Sequence, residues 1–357
     1  MTTVYIEQQN APELPFSLVF WPNFTFKIKE SRLFLRGIME QYTEPFFTIV
    51  DRPEIADFFA VPYEYFDVQD HFPDYLSRVY AHARSLGKKV LLFDYTDYVD
   101  RPSKLPSHAI LFRVSVYRHH KATNEIVMPY FVEDFGERHS VRPKEKGIPL
   151  TVGYCGYARF GSMARKWKAL AKWSAHSLRL LVSGDANRTV HARGIFWRQR
   201  AIQELRKSDI PRRIIERPFY SGHRAAVTMD ADTIRHEYVK NLSECDLALC
   251  VRGDANASQR FYEALSASRI PLFIDTDCAL PLEEIISYDE FLIRVSSNEI
   301  ARIAEKIQSG VASLSPEAFL EKERKARTAY ASYLCLDRYL ARIFDRNESP
   351  YKDVLFV

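Results

Sequence analysis

Asp246 to Asp275 reads D-L-A-L-C-V-R-G-D-A-N-A-S-Q-R-F-Y-E-A-L-S-A-S-R-I-P-L-F-I-D and leaves this chain few ways to fold. Leu247 to Val251 is an apolar run too short for a helix and suited to a parallel strand covered on both faces. Arg252 and Gly253 end it, and Asp254 to Ala257 form a polar loop. Ser258 is placed as a helix N-cap, its hydroxyl able to accept a hydrogen bond from an orphan amide of the first turn. Phe261, Ala264, Leu265 and Ser268 recur at i, i+3, i+4 and i+7, a stripe that packs on a sheet. Pro271 to Ile274 resumes that sheet. Arg260 and Glu263 lie off the stripe. An anion at the helix start would meet free amides, the positive end of the dipole and the Arg260 guanidinium, and a diphosphate fits those donors. Glu263, one turn on, is placed to accept hydrogen bonds from a ribose diol. The rival account is a surface ion pair between Arg260 and Glu263, worth roughly a few tenths of a kcal/mol.

Apolar runs alternate with helical patterns along both halves, which predicts parallel sheets built from βα units. In the first half strands are expected near Phe16 to Phe20, Phe46 to Val50, Phe58 to Val61, Val90 to Phe93 and Ala109 to Val114, with a helix from Pro73 to Leu86. Arg138 to Pro149 is polar, basic and broken by Pro and Gly, the composition of a linker. Beyond it, strands are expected near Thr151 to Tyr154, Leu178 to Ser183, Ile214 to Arg217, Leu247 to Val251, Pro271 to Ile274 and Phe291 to Val295. Six such units make a doubly wound domain whose ligands bind beyond the carboxyl ends of the strands. Ser315-Pro316 opens a terminal helical region reaching Asp345. The domains expected are therefore 1–143, 144–320 and a helical segment 321–357.

The central segment resembles the signature of exostosin-type glycosyltransferases (glycosyltransferase family 47). Its carriers are Arg252-Gly253, Ser258, Arg260, Glu263-Ala264-Leu265 and Ile270-Pro271, continued by Leu280-Pro281 and Tyr288 to Phe291. Asp57 to Pro62, Phe112-Arg113-Val114-Ser115, Asn124-Glu125 and Pro129 resemble the family's N-terminal half. Ser268-Arg269 departs from the Gly-Cys of many relatives, which bears on packing more than on chemistry. The resemblance implies an α/β GT-B fold, two Rossmann-like domains facing a cleft with a C-terminal helix crossing back. It also implies an inverting, metal-independent transferase that uses a nucleotide sugar, a UDP-sugar first. Arg260 would then bind the donor diphosphate and Glu263 its ribose.

Composition narrows the setting. Five Cys residues without C-x-x-C spacing indicate neither a disulfide framework nor a zinc site, and suit a reducing compartment. The N-terminus lacks a signal-peptide pattern and no apolar run reaches bilayer length, so a cytoplasmic enzyme is expected where eukaryotic relatives are membrane-anchored. From Arg138 to Arg224 there are 20 Lys and Arg against 5 Asp and Glu. That excess attracts an anionic ligand or the inner face of a membrane, whereas no nucleic-acid recognition motif accompanies it. Met163 to Trp173 is basic and aromatic, as in helices lying on anionic membranes, but its charges read as spread around the helix.

Further constellations each have a plainer account. Gly153-Tyr154-Cys155-Gly156-Tyr157-Ala158-Arg159-Phe160-Gly161 allows close backbone approach to a ligand, with Arg159 in reach of a phosphate, or is a turn. Asp230-Ala231-Asp232 reads as a helix start. Asp275-Thr276-Asp277 is the better metal candidate, although aspartates at strand ends are common loop formers. His119-His120, adjacent, would point apart on a strand and read as a solvated loop.

The donor side is thus expected to comprise Gly156, Arg159, Arg252, Gly253, Ser258, Gln259, Arg260 and Glu263. Arg260 would also stabilise the leaving diphosphate. The acceptor side is expected to include Tyr63, Asp67, Arg113 and Glu125. Candidate general bases are Asp94, Asp97, Glu64 and Asp67, which follow strand ends, with Glu125 in the family-like segment behind them. The acceptor expected is a glycan or lipid-linked glycan, and no metal or cofactor is expected to be essential. The competing readings are a non-catalytic polyanion- or glycan-binding protein and a metal-dependent transferase using Asp275 and Asp277.

Overall fold

A computed structural model describes residues 1–24, 33–182, 184, 185, 187–220, 222 and 224–356. The first sheet contains β1 (Thr3–Tyr5), β2 (Thr48–Ile49), β3 (Phe58–Glu64), β4 (Val90–Asp94), β5 (Ala109–Arg113) and β6 (Glu125–Val127). All pairs are parallel, in the order β2-β1-β3-β4-β5-β6. Its helices are α1 (Leu35–Met39), α2 (Tyr65–His71), α3 (Pro73–Ser85) and α4 (Phe135–Arg138). The second sheet contains β7 (Val152–Tyr157), β8 (Arg212–Arg217), β9 (Leu247–Cys250), β10 (Ile270–Asp275) and β11 (Ile293–Ser296). It too is parallel throughout, in the order β8-β7-β9-β10-β11. Around it lie α5 (Met163–Val182), α6 (Gly194–Lys207), α7 (Ala231–Glu244), α8 (Gln259–Ser266) and α9 (Ile303–Ile307). The chain ends in α10 (Pro316–Ala329), α11 (Leu336–Ile343) and α12 (Lys352–Phe356).

The central strands β4, β5, β9 and β10 are buried at every position, as apolar runs without alternation require of strands covered on both faces. In each sheet the strand order reverses beside its first strand, between β1 and β3 and between β7 and β9. Such a reversal opens a crevice at the carboxyl ends of the strands. Two doubly wound domains set against each other in this way are the GT-B arrangement.

Two expected strands are something else. Phe16 to Phe20 ends in a 3-10 turn, Leu18–Phe20, and the sheet begins instead with the short β1. Pro15 and Pro22 flank the run, so it plugs the core with Val19 and Phe20 rather than joining a ladder. Leu178 to Val182 continues α5, and Ser183 lies outside the described residues. No glycine or proline interrupts the helical pattern between Met163 and Val182, and the second sheet has five strands rather than six.

The terminal helices return to the first sheet. Ser315 caps α10 by accepting from the Ala318 amide at 3.2 Å. The Phe344 ring packs on Phe47, Phe58 and Phe112, and the Tyr339 hydroxyl donates to the Val127 carbonyl at 2.8 Å. One apolar cluster consequently runs from Val4 and Phe112 through Phe261 and Phe273 to Tyr339 and Leu355. The unusual Ser268-Arg269 also finds its reason here. Ser268 takes a positive φ of 57° after α8, and Arg269, fully buried, pairs with Glu323 of α10 at 2.6 Å. All five cysteines are free.

Candidate active site

A cavity of about 600 Å³ lies between the sheets, over the reversal point of the second one. The first half contributes Phe34, Tyr95, Thr96, Asp97, Tyr130 and Phe131 to its wall. The second contributes Tyr154 to Tyr157 from β7, Arg198 from α6, Arg235 and Tyr238 from α7, and Gly253 from the loop after β9. Ser258, Gln259, Arg260 and Glu263 of the α8 start complete it. The cavity is therefore cationic and aromatic at one end.

Arg260 is 8% exposed and sandwiched between the rings of Tyr154 and Tyr238, 5.1 and 4.8 Å from its guanidinium carbon. It donates to the Cys155 carbonyl at 2.7 Å and to Asn241 Oδ1 at 2.8 Å. No carboxylate among the described residues pairs with it, and its Nε is buried without a hydrogen-bond partner. Arg198 repeats the pattern across β7, donating to the Tyr157 carbonyl at 3.0 Å while its Nε has no partner. Ser258 occupies the N-cap position but its hydroxyl makes no cap bond, contrary to expectation. Glu263 accepts a hydrogen bond from the Tyr238 hydroxyl. Burial raises its carboxyl above the ordinary value, against the pull of Arg235, Tyr238 and Arg260.

The other donor-side residues divide. Gly156, Gly253 and Gln259 line the cavity. Gly253 is held there because Gly194 has no side chain: a Cβ at that position would collide with the carbonyl oxygens of Arg252 and Gly253. Arg252, by contrast, is 3% exposed and turned away, donating to the Tyr117 hydroxyl at 2.7 Å and to the Val190 and Asp254 carbonyls. Arg159 is exposed and does not line the cavity. Gly153 serves packing, since an added Cβ would stand 2.7 Å from Cys245 Sγ.

On the acceptor side most candidates are structural. Asp94, Arg113 and Glu125 form a buried ion triad, Arg113 lying 3.1 Å from each carboxylate. Arg113 partly offsets the two carboxylates where β4 and β5 end and β6 begins, and the three sit in the core rather than the wall. Tyr63 is packed in the apolar layer under α3, and Asp67 on α2 does not reach the cavity. Glu64 lies behind the wall and accepts from the Tyr95 amide at 2.6 Å. Burial pushes its carboxyl up to about 8, so it is protonated at neutral pH. Asp97 alone of these carboxylates lines the cavity.

The remaining motifs resolve as follows. Asp230 caps α7 through the Thr233 amide at 2.9 Å, with Asp232 in the first turn. Asp275 is held by Arg294 at 2.8 Å and by the Cys278 amide at 2.9 Å, while Asp277 binds the His119 ring and amide. Both are engaged by cations and amides, and neither lines the cavity. His119 and His120 lie on a 3-10 turn, not a strand, with ring centroids 4.0 Å apart. Sequence reasoning missed Arg198, Arg235, Tyr238 and Asn241. The last three recur every third residue along α7, a spacing that marks one helix face but says nothing of what the face meets.

Residues 186–310, which contain β8 to β11 and the whole α8 start, match the Exostosin GT47 domain. No curated protein matches the chain. Among solved structures, WaaG, a glycosyltransferase involved in lipopolysaccharide biosynthesis, is similar over 96% of this chain and 99% of its own, at 9% identity and a TM-score of 0.29. The domain match falls on the segment that builds the cationic end of the cavity, which is therefore the part of the chain similar to an exostosin-type glycosyltransferase.

Proposed function

We propose that this transferase moves a sugar from a nucleoside diphosphate donor, a UDP-sugar first, to a glycan hydroxyl, with inversion and without a metal at the donor. The observation that carries this reading is the pair Arg198 and Arg260. Both guanidiniums meet only neutral acceptors among the described residues, and each keeps a buried, unpartnered Nε beside the cavity. A buried cation without a counter-ion is costly, and a diphosphate supplies the missing charge. The α8 start adds its dipole and the Ser258 hydroxyl. Glu263, with one oxygen on Tyr238, offers the other to a ribose diol.

Chemistry follows from that placement. The acceptor hydroxyl attacks the anomeric carbon while the bond to the diphosphate breaks, and charge grows on the leaving oxygens. Fixed cations aimed there stabilise the transition state more than the ground state, the part a bridging metal plays elsewhere. Asp97, facing them from the first half, takes the acceptor proton.

Thermal shifts with UDP, GDP, ADP and CDP, each with and without Mg²⁺ or Mn²⁺, test the site. One diphosphate is expected to raise Tm in a concentration-dependent way that added metal leaves unchanged. Arg260→Ala is expected to weaken donor binding by about 1.5 to 3 kcal/mol, the worth of a charge-assisted hydrogen bond. Arg198→Ala, at a less buried position, guards against a folding defect. Unchanged donor affinity in both folded variants would overturn the reading.

The five free cysteines accord with a reducing, cytoplasmic setting. No helix among the described residues is long and apolar enough to cross a membrane. Along α5, however, Met163, Trp167, Leu178, Leu181 and Val182 are exposed and fall on one stripe at helical spacing. Arg165, Lys168, Lys172 and Arg179 fall on another side of the same helix, with Lys166 apart from them. This face fits peripheral contact with an anionic bilayer, where a lipid-linked acceptor would be found. Co-sedimentation with vesicles containing anionic lipid is expected for the native chain and to fall at least several-fold in Trp167→Ser/Leu178→Ser. Equal binding of the two proteins would dismiss the contact.

A further inference from the structure

A cluster of histidines outside the cavity joins the two halves of the chain. It forms where Tyr117, after β5, bridges to Cys278, after β10. His119 and His120 come from the 3-10 turn Arg118–His120, and His191 from the 3-10 turn Arg188–His191. One ring nitrogen of each lies within 4.8 Å of the others. His191 is the centre: its side chain is 1% exposed, and its Nδ1 is bound to Asp100 Oδ1 at 2.6 Å. Its Nε2 has no hydrogen-bond partner, although Asp185 Oδ2 stands 3.1 Å away, itself buried and unpartnered. His119 is arranged alike, with Nδ1 on the Asp277 carboxylate and Nε2 remaining. His120 Nε2 lies 4.0 Å from the same Asp185 oxygen.

An imidazole that gives Nδ1 to a carboxylate and presents a bare Nε2 is the form in which histidine ligates metals. Two of the three rings have that form, and a buried carboxylate oxygen, Asp185 Oδ2, faces His191 and His120. We propose that His119, His120 and His191, with Asp185 as fourth ligand, bind one divalent transition ion of the zinc class. Three nitrogens and one oxygen suit a closed tetrahedral site, and imidazoles select zinc, cobalt or nickel over magnesium and calcium. Metal–nitrogen bonds of about 2.0 to 2.1 Å require the rings to draw together by roughly 1 Å, a matter of side-chain rotation.

None of the four residues lines the donor cavity, so the site is independent of the transfer chemistry. Its effect is mechanical. Arg252 donates to both the Tyr117 hydroxyl and the Val190 carbonyl, at 2.7 and 3.0 Å, beside two of the ligands. An ion here would pin the first half to the loop that presents Gly253 to the cavity.

The test uses the full chain, freed of metal by chelator and dialysis and then titrated with Zn²⁺ or Co²⁺ alone. One equivalent is expected to bind, with the visible absorption of tetrahedral Co²⁺ and a rise in Tm. His120→Gln, at a half-exposed position that folding tolerates, is expected to weaken Zn²⁺ binding by at least about 100-fold, since a tetrahedral site loses one of its ligands. His176→Gln is the control. His176 Nε2 lies 3.8 Å from Asp100, and with His191 those two residues form a second trio of the same span. Failure to retain stoichiometric Zn²⁺ would overturn the proposal, as would loss of binding in His176→Gln with full binding in His120→Gln.

Discussion

Glu323→Ala is expected to lower the free energy of unfolding by about 3 to 5 kcal/mol, the cost of stranding a buried charge whose partner has been removed. Arg269 and Glu323 are both in the core, 2.6 Å apart, and Arg269 also donates to the carbonyls of Arg142, Ser268 and Leu242. Glu323 accepts in addition from the Lys144 amide at 2.6 Å. Burial still leaves the Glu323 carboxyl above its ordinary value, despite the attraction of Arg269. The pair therefore contributes little net stability while each member depends on the other. Replacing both by leucine and methionine is expected to cost far less than the single change, because no charge is left behind. Chemical denaturation of the three proteins at neutral pH decides this. A single variant as stable as the parent would show that the interior near α10 is wetter than the structure has it.

Asp97→Asn is expected to reduce kcat by about 10²- to 10⁴-fold, the usual worth of a positioned general base, with donor affinity nearly unchanged. The side chain keeps its size and loses only the ability to take a proton. Donor binding measured by thermal shift separates this outcome from damage to the cavity. A variant with full kcat would move the base elsewhere on the wall. The same substitution at Asp94 is expected to act through stability, since Asp94 is enclosed with Arg113 and Glu125.

The contrast between those aspartates shows what a sequence carries and what it does not. Alternating apolar and helical periods announced two parallel sheets, and the strand, loop and helix around Ser258 announced a helix start that the structure places at the cavity, because both are local patterns. The helical identity of Leu178 to Val182 was lost because an apolar run satisfies strand and helix alike. Asp94 ends β4, Asp97 follows it, and the two look equivalent in one dimension. Their difference is a choice of neighbours: Arg113 reaches Asp94 from β5, while Asp97, three residues on, has passed the sheet edge and meets the cavity. The same holds for arginines. Arg252 and Arg260 belong to one motif, yet one binds the loop together and the other lines the cavity, which depends on residues more than a hundred positions away, Tyr117 and Cys155.

The apolar layer that runs without a break from the first sheet through α8 to the terminal helices sets how this enzyme meets its substrates. Swinging the halves apart would return that surface to water at about 25 cal/mol for each Å² uncovered, a steep penalty for even a modest rotation. The slot between them is thus a gauge of fixed width, cut once during folding. A ligand that fits would enter a site already assembled and spend none of its affinity on closure, and one too broad would not wedge the gauge open.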